Sequence, residues 1–102
     1  MTNSVTLRCG ENQIFHWSDS ISEDDTKIVY LEHSFPIKSG MEYENTLEII
    51  KDDNLYITFD ECLEFLKTLG KNSTNRMDKF KEFLNSKGVK YKHFLWDRWD
   101  KN

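Results

Sequence analysis

The chain has 102 residues and a mass of 12.2 kDa, which is one domain's worth and too little for two ordinary ones. Only 37 % of it is hydrophobic and 31 % is charged, yet seven Phe, four Tyr and three Trp carry enough burial area to exclude a disordered chain, and one Pro with four Gly exclude a collagen-like or low-complexity one. No apolar run approaches the ~18–20 residues of a membrane span, and the N-terminus has no basic-then-apolar leader, so the expectation is a soluble cytoplasmic protein folded as a single domain over residues 1–102.

In chain order, residues 4–9 alternate with Val5, Leu7 and Cys9 on one side and read as a half-buried strand. Gly10-Glu11-Asn12 reads as a turn and residues 13–17 as a second strand, making a hairpin. Residues 18–26 are Ser, Asp, Glu and Thr with a single Ile, a loop by composition. Residues 27–33 are rich in β-branched and aromatic types, which predicts a third strand ended by Phe35-Pro36, with a turn at Ser39-Gly40. Thr46–Ile50 and Leu55–Phe59 are strand-like runs joined by Lys51-Asp52-Asp53-Asn54, a second predicted hairpin.

Two helices follow. Thr58 and Glu61 have capping-box spacing, and Cys62, Phe65, Leu66 and Leu69 form one stripe that ends before Gly70, so the first helix is expected over about 59–69. Ser73 or Thr74 can cap a second over about 74–87, with Met77, Phe80, Phe83 and Leu84 as its stripe and Gly88 as its stop. Val89 to Trp96 reads as extended, and the Trp96 to Trp99 spacing suits a final helical turn. Strands followed by helices and a last strand indicate α+β: a mostly antiparallel sheet of about five to six strands with two consecutive helices packed on one face.

The net charge of −4 hides an asymmetry. Residues 1–50 carry three bases against nine acids, and residues 51–102 carry eleven bases against nine acids. Asp19, Glu23, Asp24 and Asp25 lie within seven positions with no base between them, whereas residues 71–95 hold seven bases and two acids. Cys9 and Cys62 stand 53 positions apart, outside any C-x-x-C pair. They read as two thiols in a reducing compartment, although spacing alone leaves a disulfide open.

No nucleophile motif, phosphate loop or metal-ligand spacing is present. Residues 50–61 resemble a calcium loop at Asp52, Asn54 and Glu61, but Ile50 stands where the first carboxylate is needed and Leu55 where the sharp turn needs Gly. The expectation is therefore no enzyme activity, no cofactor and no metal. A small, acidic, aromatic-rich chain without reactive motifs fits an inhibitor of a basic macromolecule, such as a nuclease, in the manner of immunity proteins or phage anti-defence proteins. Carboxylates occupy a cleft built for phosphates, and the field speeds association. The partner-binding residues expected on this basis are Asp19, Glu23, Asp24, Asp25, Glu42 and Glu44, with Trp96 and Trp99 as aromatic anchors. The alternative is a nucleic-acid-binding module that uses the basic and aromatic segment 71–95.

Overall fold

Alternation of inward and outward side chains runs through the first fifty residues, and they fold as four consecutive antiparallel strands. A computed structural model describes residues 2–54, 56–70 and 75–101, the last four by backbone alone. Strands β1 (Asn3–Glu11), β2 (Phe15–Glu23), β3 (Lys27–Pro36) and β4 (Ser39–Ile50) form a meander. Helices α1 (Phe59–Thr68) and α2 (Arg76–Ser86) follow, and β5 (Lys92–Lys101) returns along β4. Sheet order is therefore chain order, β1-β2-β3-β4-β5, antiparallel throughout. This is the expected α+β architecture.

Both helices pack on one face of the sheet. Ile21, Ile28, Tyr30, Leu47 and Ile49 meet Cys62 and Leu66 of α1 and Met77, Phe80 and Leu84 of α2 in one cluster. Leu66, Phe80 and Leu84 of the predicted stripes are fully buried, while Phe65, Leu69 and Phe83 are partly buried against them. The Thr58 cap forms as expected: its Oγ1 accepts from the Glu61 amide at 3.1 Å and donates to Glu61 Oε1 at 3.3 Å. Thr58→Ala should lower stability by about 1 kcal/mol, read as a lower denaturation midpoint with an unchanged slope. At the end of α2, Gly88 adopts φ 71° and donates to Asn85 O, while Val89 donates to Leu84 O. This glycine-dependent cap turns the chain so that Val89 is buried.

Five local expectations are corrected. The composition-based loop at 18–26 is mostly strand, because β2 runs on to Glu23. Ser18, Ser20 and Ser22 alternate with Asp19, Ile21 and Glu23, a period of two disguised by polar residues on both faces. The first two turns also shift: β1 continues through Glu11, and β4 begins at Ser39, after a turn at Ile37-Lys38. The hairpin expected over 45–59 is absent: a 3₁₀ turn (Lys51–Asp53) follows β4, and residues 56–58 are not strand. Leu55 lies outside the described residues. The helical turn at Trp96–Trp99 is strand instead, since β4 offers β5 a ten-residue ladder from Glu48↔Lys92 to Ser39↔Lys101, and a lone helical turn cannot compete with it. Ser73 and Thr74, expected as caps, lie outside the described residues. The N-cap of α2 is Asn75, at a left-handed φ of 55°.

Asn54 closes the helical excursion. It is 1 % exposed; its Nδ2 donates to Ile50 O and Lys90 O at 3.0 Å each, and its Oδ1 accepts from the Lys90 amide at 2.8 Å. One side chain thus ties the chain leaving β4 to the chain approaching β5.

Candidate protein-binding surface

The twelve residues of β4 span about 40 Å, whereas helices of ten and eleven residues span about 15–17 Å. The helices therefore cover only part of the sheet. Beneath them the inward rows are apolar at their centre (Ile21, Tyr30 and Leu47 in one, Ile28 and Ile49 in the next). The row at the N-terminal mouth of α2 is polar (Arg8, Asp19, Glu32 and Asn45 on adjacent strands). Beyond it the strands project as a lobe closed by the β1–β2 and β3–β4 turns, which are joined by a hydrogen bond from Ile37 N to Ile14 O at 2.9 Å.

Exposed large hydrophobics concentrate on the sheet and this lobe. Ile14, Trp17, Phe35, Ile37, Tyr43, Phe94, Leu95 and Trp96 all belong there, and among the described residues Tyr56 alone lies elsewhere. On the face away from the helices, the Phe35 ring stacks on His16 at 5.0 Å between centroids and lies 5.3 Å from His33. His33 Nε2 is 3.4 Å from Glu42 Oε2, and His16 Nε2 is 2.8 Å from Glu11 Oε2. Glu44 pairs with Trp96 across β4 and β5 on the same face. The lobe's described side chains include the carboxylates of Glu11, Glu42, Glu44 and Asp97 against Lys38 as base, and residues 98–101 add two bases and one acid by sequence.

The structure separates the expected partner-binding residues. Glu42, Glu44 and Trp96 share the helix-free face of the lobe. Trp99 pairs with Met41 in the ladder, and its side chain lies outside the described residues. Asp19 lies on the opposite, helix-covered face, 4 % exposed, ion-paired to Arg8 and with its Oδ2 3.4 Å from Arg76 Nε. Glu23 accepts from Lys51 at 2.6 Å and from Asn3 at 2.7 Å, and the Lys51 hydrogen bond holds its carboxyl below the usual range. The bases missing between these acids in sequence thus arrive from β1, from the 3₁₀ turn after β4 and from α2.

Asp24 and Asp25 sit at the far end of β2, in the turn to β3. Asp24 Oδ1 accepts from the Thr26 hydroxyl and amide at 2.7 Å and from the Lys27 amide at 3.0 Å, which holds its carboxyl at about 2 against an ordinary 3.8. A carboxyl depressed on folding adds stability above its unfolded value and loses it as pH falls through the folded one. Asp24→Ala should therefore lower the melting temperature at neutral pH, and the gap to wild type should close between about pH 4 and pH 2 in paired thermal melts.

Three bases of the segment 71–95 are engaged in the fold. Arg76 is 3 % exposed, and its Nη atoms donate to Leu66 O and Gly70 O at the end of α1. Lys81 donates to His93 Nδ1 at 2.7 Å, and His93 in turn donates to Asn45; burial and the Lys81 charge hold the imidazole below its ordinary value. Lys87 reaches Glu61 at 3.7 Å and the Phe83 ring at 5.3 Å. Phe80 is core, and Lys71 lies outside the described residues. Both cysteines are free thiols, and burial pushes that of Cys62 up to about 12. Among the described residues no group of three or more His, Cys, Asp or Glu is placed to hold a metal ion, and no helix is long and apolar enough to cross a membrane.

Sequence reasoning missed Trp17, Tyr43 and Glu32. They line, with Asn45 and the first turn of α2, a cavity of about 480 Å³ at the junction of lobe and helices. Trp17 and Glu32 fall within runs read as strands, 13–17 and 27–33, but only the register brings them together with Tyr43. Comparison with protein-family models, with curated proteins and with solved structures gives no match to this chain.

Proposed function

We propose that the protein is a small binding inhibitor that occludes a basic surface of a macromolecular partner, such as the phosphate-binding cleft of a nuclease, and that the helix-free lobe makes the contact. The observation that carries this is the crowding of exposed aromatics onto a lobe whose described side chains are mainly acidic, since aromatic anchors ringed by complementary charge are how interfaces concentrate energy. Glu42, Glu44 and Trp96 are the proposed contacts retained from the sequence. Asp24 and Asp25 stand at the other end of β2, and Asp19 and Glu23 serve internal ion pairs.

The test compares tagged wild type with a Glu42→Gln, Glu44→Gln, Trp96→Ala variant in affinity capture from cells of the source organism, followed by binding kinetics on the captured protein. The variant should keep its circular dichroism and lose affinity by about thirtyfold or more, Trp96 alone supplying ~2 kcal/mol. Association by wild type should slow as salt rises. Equal capture by both proteins would refute the lobe as the interface. Tight, steeply salt-dependent binding of wild type to a single-stranded oligonucleotide would favour the nucleic-acid reading instead.

A further inference from the structure

We propose that the cavity at the mouth of α2 receives one cationic side chain of the partner, an arginine above all; this rests on the protein-binding reading given above. The cavity of about 480 Å³ has room for a guanidinium and its stem, and its walls suit both. Trp17 and Tyr43 lie on either side of Ser34 in the register, two strand spacings apart, or about 9.6 Å. Ser34 is too small to fill the space between them. The Trp17 indole lies down over Gly10, where a Cβ would come within 2.7 Å of Cζ2, so the ring walls the cavity without plugging it. Both rings are more than one-third exposed and present π surface to an incoming cation. Leu95 and Met77 line the same space and can flank the aliphatic stem.

Charge decides the class of ligand. Arg8, Arg76, Asp19, Glu32 and Asp78 line the cavity together with His33, two arginines and one imidazole against three acids. Asp19 is matched by both arginines. Among the described residues the hydrogen bonds to Glu32 come from neutral groups, Oε2 accepting from the Tyr30 hydroxyl at 2.8 Å and Oε1 from the Asn45 amide at 3.2 Å, and the nearby Arg8 charge does not offset its burial. Burial pushes its carboxyl above the ordinary range, the response of a carboxylate short of positive charge. An anion entering here meets Glu32 and Asp78 while both guanidiniums are already engaged by Asp19, and an apolar group desolvates Glu32 further. A guanidinium supplies the missing charge and hydrogen-bonds to a carboxylate already held in place.

The test uses N-acetyl-L-arginine methylamide as probe, followed by proton–nitrogen NMR, with N-acetyl-L-citrulline methylamide as the neutral counterpart. The arginine compound should give saturable shifts centred on the Trp17 indole N–H and the Asn45 side-chain amide, with a dissociation constant on the order of 10 mM. Glu32→Gln, which keeps acceptor and shape, should weaken binding about tenfold, and Tyr43→Leu severalfold. The citrulline compound should not saturate. Absence of saturation by the arginine compound, equal binding of both compounds, or an unchanged Glu32→Gln variant would overturn the proposal. Probe binding without partner capture defeats the protein-binding reading alone, and partner capture without probe binding defeats this site alone.

Discussion

Phe80→Ala should lower the stability of the protein by about 3–5 kcal/mol, the largest loss expected from a single truncation here. The ring is fully buried at the centre of the helix–sheet core. It meets Tyr30 edge-on at 5.4 Å and lies 6.3 Å from both Phe65 and Phe83, which stack on each other at 4.3 Å. Removing it empties space that three other aromatics cannot refill without leaving their contacts. For a domain near 100 residues such a loss lowers the melting temperature by roughly 12–30 °C, which calorimetry reads directly. A shift of only a few degrees would mean that the rings collapse into the gap. Phe65→Ala and Phe83→Ala should cost less, because both rings keep some solvent exposure.

Asp19→Ala should cost about 3 kcal/mol, although no apolar contact is lost. Its carboxylate is the counter-charge for Arg76, a guanidinium 3 % exposed at the start of α2. Arg76 Nε stands 3.4 Å from Asp19 Oδ2 without a hydrogen bond, so their attraction is Coulombic, while the Nη atoms cap the last carbonyls of α1. Removing Asp19 leaves that charge buried and uncompensated. Arg8 is less affected because about a quarter of its side chain already meets solvent. Urea denaturation of Asp19→Ala, Arg76→Met and the double variant checks this: the double variant should lose less than the two single losses together. Additive losses would show that Asp19 and Arg76 act independently. Any loss of partner binding in Asp19→Ala would then need correction for the fraction unfolded.

The sequence was legible where its patterns are local. Helical stripes and a capping box are local patterns, so α1, α2 and the core positions Leu66, Phe80 and Leu84 could be read from spacing alone. β2 could not. Its inward residues Asp19 and Glu23 are acids whose neutralising partners, Arg8, Arg76 and Lys51, lie 11, 57 and 28 positions away, so hydrophobic alternation fails where ion pairs replace apolar contacts. The same distance hid the cavity, whose walls come from all five strands and α2. Glu42, Glu44 and Trp96 were chosen for charge and residue type, and only the register shows that they share a face. Trp96 and Trp99, spaced as neighbours on a helix, lie instead along one strand, paired in the ladder with Glu44 and Met41.

Agreement between sheet order and chain order also bears on how the molecule assembles. The β1–β4 meander needs only hairpin contacts, which form early and locally. Pairing of β5 must wait until the segment clamped by Asn54 has formed its helices, because that loop is the longest in the topology. Until then β4 is an edge, with up to twelve residues of unpaired backbone. At high concentration the fifth strand of one molecule and the waiting edge of another are matched in register and chemistry. The assembly fault built into this topology is therefore reciprocal exchange of β5, and it should grow with concentration during refolding while leaving each sheet with five strands.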